Sequence, residues 1–245
     1  MYEYYILSMV AILVCGLLCS IASSKVSKAY KAYGRIATHS HMTGYDTARR
    51  LLTANGIRDI SIGRVRGQLS DHYHPTKKVV NLSDGVYGSD SVAAVAVAAH
   101  EIGHVVQHKK GYFFYKIRTA LVPITNFGSK LALPLVLVGF LLDFSVGMTD
   151  SYTLGYTLAM VGVALYGLSA LFAFVTLPVE LDASRRAKQM LLAEGIITEE
   201  ELPYADKMLD AAARTYVASL LTSIVYFLRF LLWVFVMFGG RRRRD

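Results

Sequence analysis

The chain has 245 residues, of which 54% are apolar and 18% charged, and a formal net charge of +8. With a positive mean hydropathy, it is too apolar for an ordinary soluble domain and too charged to lie wholly within a bilayer. Its only cysteines, Cys15 and Cys19, sit one helical turn apart in an apolar run and read as packing residues, which argues against a disulfide scaffold or a cysteine-rich metal site.

Residues 4–24 carry no charge and are long enough to cross a hydrocarbon core, and Lys25, Lys28, Lys31 and Arg35 follow at once. This predicts a first transmembrane helix (residues 1–24) with the N-terminus outside. No basic residue precedes the apolar run, so a cleaved signal peptide is not expected.

Residues 25–118 have the composition of a globular domain. Thr43 and Asp46, three apart and ahead of an apolar run, form a capping-box signature, and Gly56 stops the helix. Residues 60–66 and 77–82 show strand-like alternation around a turn-rich loop, 70–75. The expected order is therefore helix, hairpin, helix, with 79–82 either a strand whose edge could take up an extended peptide or a plain core strand.

Residues 92–110 then form one capped helix: Ser89, Asp90 and Ser91 precede it, Val92 to Ala99 are all apolar, and Gly111 ends it. Within it stand His100, Glu101 and His104, the His-Glu-x-x-His spacing of zinc hydrolases. On a helix, residues four apart share a face. Both imidazoles can thus reach one Zn²⁺, with Glu101 beside the open coordination position as general base. The alternative is a helix whose histidines are satisfied by neighbours and whose glutamate is solvated.

Two further apolar segments, 131–149 and 151–179, predict a transmembrane hairpin (residues 119–179). Pro134 and Asp143 interrupt the first, and the tip carries only acidic charge. Basic residues flank its feet, placing them on the cytoplasmic side. Pro178 suits an early helical position, so a new helix is expected from Glu180 to a stop at Gly195, within a cytoplasmic segment 180–214. The last apolar stretch (215–245) contains Arg229 and closes with Arg241, Arg242, Arg243 and Arg244. It reads either as a fourth span or as an interfacial helix with its tail on anionic lipid. The sequence thus describes an α-helical integral membrane protein with three or four membrane helices and an α+β domain between them. Most of the basic charge is juxtamembrane, which reads as topology and contact with membrane lipids; no nucleic-acid motif is present.

A catalytic zinc needs a third protein ligand. His108 continues the ladder but lies about 12 Å along the axis from His100, too far to share the ion. Glu180 returns from the hairpin to the membrane face where His100 lies, and it is the expected ligand, the alternative being a solvated membrane-proximal acid.

Taken together, the helix from Val97 to His108, the hairpin, the Glu180 helix and the upstream Asp71-His72-Tyr73 and Asn81-Leu82-Ser83 resemble the YugP family of neutral zinc metallopeptidases over nearly the whole chain. More distantly, the chain is similar to the HtpX- and Ste24-type membrane proteases, which are gluzincins. The resemblance implies a zincin-like cytoplasmic domain, one catalytic zinc on His100, His104 and Glu180, and Glu101 as base. Those relatives carry an acid four residues after the ligand glutamate, whereas this chain has Ser184 there and Asp182 two residues after. The expected activity is a membrane-bound zinc endopeptidase of the multi-pass cell-membrane type, acting on membrane or membrane-associated polypeptides. Candidates for an oxyanion donor are Tyr216, Arg214, Tyr73 and His72. The rival readings are a zinc transporter and a non-enzymatic membrane adaptor.

Overall fold

The fold, taken from a computed structural model, is described for residues 2–145 and 154–239. The C-terminal arginines 241–244 and most of the acidic hairpin tip lie outside the described residues. The elements run α1 (Tyr2–Tyr33), α2 (Gly44–Ala54), β1 (Ser61–Val65), β2 (His72–His74), β3 (Val79–Ser83), α3 (Asp84–Tyr87), α4 (Val92–Lys109), α5 (Phe113–Ser145), α6 (Leu154–Ala193) and α7 (Leu202–Gly239). Among the described residues, four helices are long and apolar enough to cross a membrane: α1, α5, α6 and α7. The last apolar stretch is accordingly one continuous helix through Arg229.

The described chain divides into two compact units, with boundaries inside α1, α5, α6 and α7. One unit comprises Ser20–Lys116 and Leu177–Tyr216. In it, α2 begins with a complete capping box, Thr43 Oγ1 accepting from Asp46 N while Thr43 N donates to the Asp46 carboxylate. Helix α4 begins at Ser91, whose hydroxyl oxygen accepts from Ala94 N, and its C-terminus leads into Gly111 at φ +65°. Leu51 of α2, Leu82 of β3, Val95 and Ile102 of α4 and Leu191 of α6 are fully buried in one core. That core is aliphatic on every side of the first half of α4, which explains its unbroken Val/Ala run.

The sheet departs from the expected hairpin. Its order is β1-β3-β2, with β1 parallel to β3 and β2 antiparallel to β3. The segment 70–75 is thus not merely a loop: His72–His74 is a strand, and the hairpin is β2 with β3. Strand β3 is central and already paired on both sides, so it offers no edge to a peptide. The edges are β1 and β2.

The other unit comprises Met1–Cys19, Ile117–Thr176 and Val217–Asp245. Here Val136, Ala159, Val163 and Val234 form a small buried cluster, while many large apolar side chains, among them Leu13, Phe127 and Leu154, face outward. Helices α5 and α6 approach at glycines. A Cβ on Gly139 would stand 2.3 Å from Gly155 O, and one on Gly162 2.6 Å from Ala132 O. Close backbone approach at small residues is how helices pack where apolar burial alone cannot select a partner.

Pro178 does not start a new helix. It lies inside α6, as Pro123 and Pro134 lie inside α5. A proline in a helix interior removes one N–H and crowds the preceding turn, a cost tolerated when surrounding helices hold the segment in place.

Candidate metal centre

Two helices of the same compact unit build the site. From α4 come His100 and His104, on one face by their four-residue spacing; from α6 comes Glu180. The approach of α6 depends on Gly103 in the middle of the motif, because a Cβ there would lie 2.7 Å from Ala183 O. The missing side chain lets the α6 backbone lie directly against α4 and brings Glu180 over the imidazoles.

The donor atoms converge. His100 Nε2 lies 3.1 Å from Glu180 Oε2, and His104 Nε2 lies 3.5 Å from the same oxygen. Among the described residues, His100, His104 and Glu180 form the group able to hold a metal ion, their ligand atoms all within 4.8 Å of one another. Ligands about 2.0–2.1 Å from a tetrahedral zinc stand about 3.3 Å apart, so the two separations from Glu180 suit that ion. The Glu180 side chain is 2% exposed, and a carboxylate so deeply buried requires a cation or proton beside it.

The opposite ring nitrogens are held from behind, one partner each. Ser184 Oγ lies 3.1 Å from His100 Nδ1. His104 Nδ1 lies 3.0 Å from Gln107 Oε1. The fully buried Gln107 donates through Nε2 to Val179 O at 2.7 Å and to Asp182 Oδ2 at 2.9 Å. Both of those partners can only accept, which fixes the amide orientation and leaves Oε1 to face His104. His104 Nδ1 therefore carries a proton, and its Nε2 is the nitrogen that faces the Glu180 carboxylate. A proton on Nε2 or a metal ion between the two atoms satisfies that contact. Asp182 is anchored in turn by Arg185 and by Arg186 Nε at 2.6 Å. Ser184 and Asp182 thus both serve the site, Ser184 directly on His100 and Asp182 through Gln107 on His104.

Glu101 is buried on α4. Burial pushes its carboxyl above the usual range, aided by Glu180 and Asp71, while the two imidazoles act in the opposite direction.

His108 is not in the ligand group: its Nδ1 is 2.8 Å from Tyr73 Oη, and its ring stacks on Tyr115. That bond also occupies the Tyr73 hydroxyl. His72 is engaged with Ser70 O and Asn81 Nδ2. Arg214 lines a groove with Lys25 and Lys28. Tyr216 lies on α7 at the end of its unit. Sequence reasoning missed Gln107, whose signal was its position three residues after His104, one turn along the ligand face.

Residues 5–235 match the family described as "Putative neutral zinc metallopeptidase". The chain is also 40% identical over 220 residues to the "Putative membrane protease YugP" of Bacillus subtilis (strain 168), a match covering 90% of this chain and 92% of that protein. No solved structure matches the chain. The match extends over nearly the whole length and includes the His100, His104 and Glu180 cluster, and the chain belongs to this neutral zinc metallopeptidase family.

Proposed function

We infer that the protein is a membrane-bound zinc endopeptidase of the gluzincin type, with His100, His104 and Glu180 as metal ligands and Glu101 as general base. The observation that carries this reading is the convergence of two imidazole nitrogens and a buried carboxylate, with the reverse side of each ring held by a separate partner. A zinc ion, when bound, supplies a Lewis acid that polarises the scissile carbonyl and acidifies a water molecule.

The chain's own groups supply the rest. Gln107 and Ser184 keep the imidazoles in the tautomer and orientation that ligation requires. Glu101 accepts the proton of the attacking water and delivers it to the leaving amine, and its burial brings its basicity closer to that needed near neutral pH. Strand β2, a sheet edge whose Tyr73 contacts His108 of α4, is the surface on which an extended substrate would add.

The domain carrying this chemistry is formed by residues 25–118 and 180–214 and faces the cytoplasm. Support comes from the basic residues that follow the first apolar run and flank the feet of the α5–α6 hairpin. A site next to the membrane selects membrane or membrane-associated polypeptides.

The test is cleavage of a fluorophore-labelled unfolded protein by detergent-purified wild type and Glu101→Gln, with bound zinc measured in both. Equal zinc and cleavage by wild type alone support the reading. Equal zinc and equal cleavage would remove Glu101 from the chemistry, and zinc without cleavage in either sample would reject the peptidase.

A further inference from the structure

Several cations in the unit that carries the metal centre are held in ion pairs. Arg185 and Arg186 meet Asp182, Lys188 meets Asp206, Arg50 meets Glu194, and Lys109 and Lys78 share Asp59. Other cations stand outside these pairs, and four of them gather in one place. A groove of about 440 Å³ between α1 and α7 is lined by Lys25 and Lys28 from one helix and by Lys207 and Arg214 from the other. Among the described residues none of these four makes an ion pair, and one carboxylate, Asp210, joins them.

The helical spacing shows how the groove is made. Lys25, Lys28, Ala29 and Ala32 fall on one face of α1, and Lys207, Asp210, Ala211 and Arg214 on one face of α7. The alanines leave a shallow apolar floor between two rims of long cationic side chains. Tyr33 of α1, also on the lining, stacks on Tyr204 of α7 with ring centroids 5.7 Å apart. Along the chain, the groove follows directly on the apolar run of α1 and precedes that of α7. Its volume falls within the range of small-molecule sites.

We propose that this groove is a binding site for the head group of an anionic glycerophospholipid, with Lys25, Lys28, Lys207 and Arg214 on the phosphate and Asp210 accepting from a head-group hydroxyl. Four unneutralised cations repel one another and call for an anion. A basic pocket between juxtamembrane helices with an apolar floor suits a ligand that is charged at one end and greasy at the other. Free phosphate would satisfy the charges but has no use for the floor or for Asp210. The site is independent of the chemistry at His100, and it would tie α1 to α7 at the bilayer surface.

The experiment is native mass spectrometry of the full chain, released from neutral detergent and titrated with phosphatidylglycerol or phosphatidylcholine. Wild type is expected to retain phosphatidylglycerol preferentially. The variant K25Q/K28Q/K207Q/R214Q should lose that preference by about tenfold or more, and K25R/K28R/K207R should keep it. A control with the same number of cations removed elsewhere on this unit, R49Q/R58Q/R66Q/K77Q, should behave as wild type. Unchanged zinc content reports that each variant is folded; if the quadruple variant is not, K28Q/R214Q takes its place with a smaller loss expected. Retention unaffected by the groove variant, or reduced equally by the control, would overturn the site. Displacement of the lipid by an equal concentration of soluble glycerol phosphate would overturn the lipid assignment.

Discussion

The two compact units obey different packing rules. In the unit around α4, large aliphatic side chains such as Leu51, Leu82, Ile102 and Leu191 are fully buried, and polar groups inside are linked in a chain from Arg186 through Asp182 and Gln107 to His104. In the unit formed by the long apolar segments, side chains of the same kind point outward, and the close contacts are made at Gly139 and Gly162. The first pattern answers to water, which drives apolar groups in and makes it costly to leave a buried polar atom without a partner. The second answers to lipid, which leaves apolar surface exposed and selects helix partners by close approach. Each unit uses a glycine to bring α6 near a neighbour, Gly103 in one and Gly162 in the other. Only in the first does the approach bring together a group of side chains able to hold a metal ion.

Substitutions can sharpen this contrast. The largest effect is expected from Glu180→Ala or His104→Ala, which should abolish both bound zinc and cleavage. Leu13→Ala, on the outward face of α1, should leave both intact, as zinc analysis beside the protease assay would show. Next comes Glu101→Gln, with turnover reduced by about 10²–10⁴-fold at unchanged zinc content. Gln107→Leu should weaken zinc binding by about 10–100-fold in competition with a chelator, since it frees the His104 ring while leaving all three ligands in place. The smallest effects on stability separate the glycines. Gly103→Ala and Gly162→Ala should each cost about 1–3 kcal/mol in detergent unfolding, but only Gly103→Ala should also lower zinc affinity.

Local signals were legible in the sequence. The Thr43–Asp46 box, the Ser91 cap and the glycine after α4 each depend on residues within one turn, and each element starts or stops where they indicate. The nearness of Glu180 to the two imidazoles could be anticipated because the topology of an apolar hairpin constrains where the chain returns. What failed depended on distant partners. Periodicity identifies a strand but not its neighbour, so the parallel pairing of β1 with β3 and the strand within His-Tyr-His-Pro could not be read. Pro178 was misread because the rule for proline at a helix start is local, whereas packing along α6 decides whether the helix continues. Gln107 was overlooked because an amide in a polar helix end looks solvated until Val179 and Asp182 are brought to it from 72 and 75 residues away.

The central claim is that α4 and α6 together hold one zinc ion. It is tested most directly by zinc stoichiometry and zinc-edge X-ray absorption on the purified full chain, wild type beside Glu180→Ala. The account predicts about one zinc per wild-type chain, two imidazoles in its coordination shell with no sulfur, and loss of the metal from Glu180→Ala while the protein stays folded. Full zinc occupancy in that variant, with an unchanged spectrum, would contradict it.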